Sequence, residues 1–317
     1  MRCACIDIGT NTTRLLVADV DGGALAPVAE QRAFTQLARA CDAGGQLAPG
    51  ALRALADVVA EQARAARAHG AVALRVVGTA ALRRAANGTA ACAALSDAAG
   101  VEVELLAPEE EARLAFAGAV GAAAVSEPAA AGAAPGAPQP AAPRGASGAL
   151  AAAGGPGTTL VADVGGGSTQ LVAGTPAGGV AWSASLPLGS GDLATAHLRS
   201  DPPSADELAV LRAAVAAVLD GLDAPAAQRR LAVGGSATSL RRLAGPLLDP
   251  DGLAAALAAL TAAPAAVAAE RFVIAPERAR LLPAGIVVLA ALAARLGPLE
   301  IACGGLREGV VRALAAT

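Results

Sequence analysis

A carboxylate followed by a glycine turn and paired hydroxyls occurs twice in this chain, half a chain apart. Asp7 precedes Gly9, Thr10, Asn11, Thr12, Thr13 and Arg14 in "IDIGTNTTR". Asp163 precedes Gly165, Gly166, Gly167, Ser168, Thr169 and Gln170 in "ADVGGGSTQ". Glycines without Cβ atoms let backbone N–H groups close around an anion, and successive N–H groups in such a turn form an anion-binding concavity. Threonine and serine hydroxyls add donors, and Arg14 adds a charged one. A carboxylate would repel a phosphate, so Asp7 and Asp163 make sense beside one only with a cation between them. Mg²⁺ fits, because it is held by one or two carboxylates together with waters and phosphate oxygens. Two such clamps facing each other suit a phosphoanhydride gripped between two domains.

Other chemistry is excluded by what is missing. The chain has 317 residues and two histidines, His69 and His197, too few for a histidine metal cluster. All 24 basic residues are arginine, so a P-loop, which needs a lysine, is impossible. Neither HExxH nor GxGxxG occurs. A net charge of −3 and a pI near 5.5 argue against nucleic-acid or membrane-surface binding. Three Phe, one Trp and no Tyr leave little for base stacking. The five cysteines are scattered with no CxxC, which reads as a reduced, cytoplasmic protein. The chain enters a strand at once, with no signal peptide ahead of it. The apolar run Leu281–Ala294 is shorter than a bilayer span of about 20 residues and reads as a buried helix.

These residues need elements to hold them. Residues 3–20 read as two strands joined at Gly9–Thr12, with Cys3 and Cys5 on one buried face. The spacing predicts helices over 52–69, 87–99, 109–120 and 205–222, and Ala-rich helices over 251–269 and 277–296. Strands are predicted from Ala73, over 101–106, around Asp163, over 180–188 and from Arg230 and Leu299. Glycine turns follow the last two, at Gly234–Gly235 and Gly304–Gly305. Residues 122–157 are nearly all Ala, Gly, Pro and Ser and read as a disordered insert. Alternating strands and helices give an α/β class. The domains are then 1–121, which the C-terminal helix 306–317 could complete, and 158–305.

The chain resembles the exopolyphosphatase/guanosine pentaphosphate phosphohydrolase (Ppx/GppA) family of the actin-like ATPase superfamily. The resemblance runs end to end through "ACIDIGTNTTR" (4–14), "VVGTAALRRAAN" (76–87), "EEEARLAF" (109–116), "DVGGGST" (163–169), "VGGSATSL" (233–240) and "CGGLREGVV" (303–311). It implies two actin-like (ribonuclease H-like) domains facing across a central cleft. It also implies Mg²⁺-dependent removal of terminal phosphate from polyphosphate or from guanosine pentaphosphate. By the same resemblance Glu111 is the base that aligns the attacking water, and Arg83 contacts phosphate. Gly234, Gly235 and Ser236 join the phosphate-binding set, and Asp7 and Asp163 hold the metal. The family shows Glu where this chain has Gln170, one negative charge fewer beside the metal. Longer members carry C-terminal helical domains, and their absence from this sequence favours short substrates.

Two other functions share these residues. A sugar or acetate kinase of the same superfamily would use "VGGSATSL" for nucleotide. A phosphate- or nucleotide-sensing module would bind without turnover, as the neutral Gln170 would allow. Arg84, Arg241 and Arg242 are the remaining local basic candidates, Arg229 and Arg230 read as a solvated face, and a homodimer is a further expectation.

Overall fold

The computed structural model describes residues 1–42, 44–126 and 157–316. The first lobe contains β1 (Arg2–Ile8), β2 (Thr12–Asp21), β3 (Ala24–Phe34), α1 (Pro49–Ala68), β4 (Ala73–Gly78), α2 (Ala80–Arg84), α3 (Gly88–Ala99), β5 (Val103–Leu105) and α4 (Pro108–Ser126). The second contains β6 (Thr159–Val164), β7 (Thr169–Thr175), β8 (Gly179–Leu186), α5 (Ser190–His197), α6 (Ala205–Leu219), β9 (Arg229–Val233), α7 (Gly234–Leu240) and β10 (Leu247–Leu248). It continues through α8 (Pro250–Thr261), α9 (Ala265–Phe272), α10 (Pro276–Leu296) and β11 (Leu299–Ile301), and α11 (Leu306–Ala315) follows. Most of the 122–157 stretch read as an insert lies outside the described residues; α4 runs through its start, to Ser126.

The repeat seen in sequence is a repeat of topology. The first sheet has the order β3-β2-β1-β4-β5, and the second has β8-β7-β6-β9-β11 with β10 added at the edge. In each, the leading strand pairs antiparallel with the second and parallel with the fourth. The registers match: Asp7 lies opposite Arg14, and Asp163 opposite Gln170. Both turns close alike, with Gly9 N–H donating to the Thr12 carbonyl at 3.0 Å and Gly165 N–H to the Ser168 carbonyl at 2.9 Å.

Period-2 alternation distributes β1 between two layers. Ala4, Ile6 and Ile8 pack under α1 and α3 with Leu55, Val59 and Leu95. Cys3 and Cys5 face the other way, onto Leu114 and Ala115 of α4 and Val310 and Val311 of α11. The C-terminal helix therefore packs on the first lobe. In the second lobe Leu160, Ala162 and Val164 of β6 face α5, α6, α8 and the long α10. Among the described residues, α10 is the one helix long and apolar enough to cross a bilayer, and 67% of its apolar window is packed inside this core.

Helix α4 belongs to both lobes. Leu114 and Ala115 enter the first core, whereas Ala112, Phe116 and Ala119 cover Val161, Val172, Leu231 and Val233 of the second sheet. Its crossing with α11 is unusually close. A Cβ on Gly309 would fall 1.9 Å from the Leu114 carbonyl oxygen, and one on Gly118 would fall 1.9 Å from that of Gly305. Glycine at both positions lets the two backbones pack directly, and this crossing seats the helix that carries Glu111.

Candidate active site

Both hairpin turns, the start of α4 and the loop before α11 open onto one cleft between the lobes. Its lining includes Asp7, Gly9, Thr10, Asn11, Thr12, Arg14, Glu111, Asp163, Gly165, Gly166, Gly167, Ser168, Gly234 and Gly235. These are most of the residues singled out in the sequence, and they come from elements far apart in the chain. Gly234 opens α7 at φ +90°, where a Cβ would fall 2.7 Å from Asp163 Oδ1. Glycine thus lets β9 turn directly behind that carboxylate.

Four carboxylates line the cleft, those of Asp7, Glu111, Asp163 and Glu308. Burial raises Asp163 to about 7, and repulsion from Glu111 and Asp7 adds to the shift. Asp7 is raised to about 6 by burial and then by Glu111. Glu111 is also raised by burial, against the opposing pull of Arg83. Asp7 Oδ1 is buried without a hydrogen-bond partner. An orphaned carboxylate oxygen among mutually repelling carboxylates fits a cation. Among the described residues no three His, Cys, Asp or Glu side chains converge into a cage of their own. That suits an ion that shares its coordination with water and phosphate. Cations complete the setting. Arg14 and Arg278 each bury an Nε without a partner, and burial lowers each to about 10, so both remain charged at neutral pH.

Several expected residues lie elsewhere. Arg83, assigned to phosphate by resemblance, does not line the cleft. Its Nη1 donates to Glu111 Oε2 at 2.6 Å and to the Leu106 carbonyl at 2.8 Å, so it holds the carboxylate. Thr169 is fully buried, and its hydroxyl donates to the Leu188 carbonyl at 2.6 Å. Strand alternation places Ser168 and Gln170 on the cleft and turns Thr169 away. Ser236 is 1% exposed and packs toward Gly285 of α10, off the cleft. Arg84 bridges to Asp192, Arg229 pairs with Glu300, and Arg241 donates to Cys303 Sγ at 3.1 Å. Gln170 Nε2 donates to Ser168 Oγ at 2.9 Å, tying down a turn hydroxyl.

Sequence reasoning missed Arg278, Arg307 and Glu308 as cleft residues. The last two sit inside "CGGLREGVV", just past the glycine turn that marks that stretch. Glu308 accepts the Gly305 N–H at 2.8 Å, and Arg307 donates to the Leu15 carbonyl at 3.3 Å. Arg278 has no local signal. It is one arginine at the start of a helix, and only the packing of α10 brings its guanidinium within 2.7 Å of where a Gly235 Cβ would stand.

A model of the Ppx/GppA phosphatase family matches residues 16–129 and 141–316. Exopolyphosphatase 1 of Mycobacterium tuberculosis is 33% identical over 117 residues, 37% of this chain and 34% of that protein. Exopolyphosphatase 2 of the same organism is 35% identical over 129 residues, 38% of this chain and 40% of that protein. The matched segment thus spans well under half the length of these curated relatives. A crystal structure of an exopolyphosphatase-like protein superposes with a TM-score of 0.79 at 26% identity, covering 99% of this chain and 97% of that one. The Ppx/GppA enzyme of Aquifex aeolicus has the same fold, with a TM-score of 0.73 at 24% identity over 99% of both chains. The fold is the expected pair of α/β lobes about a cleft, and on the span of the family match this chain belongs to the Ppx/GppA phosphatase family.

Proposed function

We propose that the protein hydrolyses a terminal phosphoanhydride bond, releasing phosphate from inorganic polyphosphate or from guanosine pentaphosphate. The observation that carries this reading is the orphaned, buried Asp7 Oδ1 in a cleft whose two walls are the same carboxylate–glycine hairpin. A single hairpin of this kind is a turn; two across a cleft make a site for a charged group with phosphates on both sides. The curated relatives named exopolyphosphatases support polyphosphate as the substrate class.

Asp7 and Asp163 would hold Mg²⁺, whose charge would offset that of the scissile phosphate. Both turns line the cleft, and the N–H groups of Thr10–Thr12 and Gly166–Ser168, unlike those of Gly9 and Gly165, are not spent closing the turn and would bind phosphate oxygens. Arg14 and Arg278 supply fixed positive charge that needs no reorganisation as charge moves toward the leaving oxygen. Glu111 would orient the attacking water and accept its proton. Burial makes this carboxylate a better base than an exposed one, and Arg83 keeps it ionised and aimed.

The test is phosphate release with Mg²⁺ from short polyphosphate, long polyphosphate and guanosine pentaphosphate, comparing wild type with Glu111→Gln. The expected result is release by wild type and a loss of about 100-fold or more in kcat for the variant. Unchanged release by Glu111→Gln would remove Glu111 from the mechanism. No release from any substrate would refute the hydrolase reading.

A further inference from the structure

The lobes touch directly at one side of the cleft, and the contact runs through the short helix α2. Its last two residues serve different lobes. Arg83 holds Glu111 within the first lobe. Arg84 reaches across, with Nη1 2.5 Å from Asp192 Oδ2 and 3.4 Å from the carbonyl oxygen of Gly167. Arg84, a basic candidate in the sequence, does not line the cleft.

Asp192 is rigidly joined to the phosphate-binding turn of the second lobe. It lies in the first turn of α5, whose leading N–H groups are spent on that turn: Ser190 on the Gly165 carbonyl at 3.0 Å, Gly191 on Gly166 at 2.9 Å and Asp192 on Gly166 at 3.1 Å. Residues of the first turn press on the second in the same place. A Cβ on Gly167 would fall 2.5 Å from Thr10 Oγ1, and one on Gly191 would fall 2.2 Å from Asn11 Nδ2. The Arg84–Asp192 pair therefore sits beside a direct contact between the two turns. A thinner tie, Arg39 Nε to Thr195 Oγ1 at 3.5 Å, runs alongside it.

We infer that Arg84 is a positioning residue, an ion-pair latch that holds the lobes closed and sets Glu111 and the opposite phosphate-binding turn in one register. The inference rests on the hydrolase reading above for its effect on rate, but not for its effect on shape. The coupling is short. Arg83 and Arg84 are consecutive on a five-residue helix, so a pull on one lobe reaches the carboxylate of the other through one turn of backbone. The two side chains are 50% and 29% exposed, so the latch is weak. Removing it costs about fivefold in the closed population at most, and reversing one charge about tenfold.

The experiment is a charge swap. Arg84→Glu and Asp192→Arg are each expected to lower kcat/KM for short polyphosphate about tenfold, with thermal midpoint unchanged. The double variant Arg84→Glu/Asp192→Arg is expected to return within about twofold of wild type. The deficit of each single variant should shrink at 1 M salt, where screening weakens exposed pairs. A double variant no better than the worse single would overturn the proposal; that result is expected if Arg84 instead binds phosphate directly. Small-angle scattering without substrate gives an independent reading. The single variants should be more expanded than wild type and the double variant as compact, and singles as compact as wild type would overturn the latch. If wild type releases no phosphate at all, the hydrolase reading fails and the scattering series still decides the latch.

Discussion

Asp163→Asn separates the cost of holding this carboxylate from its use. In the folded protein the carboxyl is carried from its usual 3.8 to about 7, first by burial, then by Glu111, Asp7 and Glu308, with Arg14 opposing. A shift of about three units is about 4 kcal/mol for an isolated group. Asp163 is half-buried on the wall of an open cleft and shares its repulsion with three other carboxylates. We therefore expect about half that value, roughly 2 kcal/mol. The sign follows from the direction. Because the folded protein binds this proton more tightly than the unfolded chain, stability is full below about pH 4. It is lost as pH rises toward 7, and the whole penalty is present above 7. Asparagine keeps the shape and removes the charge. In chelator at pH 8, Asp163→Asn should raise the thermal midpoint by about 3 °C, and at pH 4 the two proteins should melt together. Mg²⁺ titrated at pH 8 should raise the midpoint of wild type by mass action and leave the variant nearly unmoved. Calorimetry across pH 4–8, with chelator and with Mg²⁺, measures all of this. A variant less stable than wild type at pH 8 in chelator would show that native contacts already satisfy Asp163. Equal Mg²⁺ shifts in both proteins would show that Asp163 does not hold the ion.

Other expectations come from the same geometry. Arg83→Met removes the cation 2.6 Å from Glu111 and leaves that carboxylate buried. Glu111 is then protonated more readily, so the acid limb of the pH–rate profile should move to higher pH while the alkaline limb stays in place. Gln170→Glu adds a charge opposite Asp163 in the β6–β7 register, and the Mg²⁺ concentration for half-maximal phosphate release should fall several-fold. An unchanged requirement would place Gln170 outside the metal's field. Gly309→Ala drives a methyl into the α4–α11 crossing. It should cost about 1–3 kcal/mol in denaturant unfolding, and more if the helices cannot separate.

Each half of the site was legible in the sequence because its residues are neighbours in the chain. Asp, glycine turn and hydroxyls lie within eight residues, and a β-hairpin needs nothing beyond its own turn to bring them together. The long helices α1 and α6 and the buried α10 were legible for the same reason, since periodicity and apolar runs are local. β3 was not. It is a half-exposed edge strand carrying Pro27 and polar residues, and its place is decided by pairing with β2 rather than by its own pattern. Thr169 and Ser236 were misplaced because a residue type does not say which way its side chain points. That direction is set by strand alternation at Thr169 and by the packing of α7 on α10 at Ser236.

Short contiguous stretches carry the repeated hairpins, the α/β class and the family resemblance. Tertiary structure alone decided that the hairpins face each other and that Arg278 reaches the cleft from a helix with no motif. It also decided that Arg83 serves Glu111 and that α4 is shared by both lobes. These depend on contacts between residues up to hundreds of positions apart, and the energy of such contacts exists only once both cores have packed.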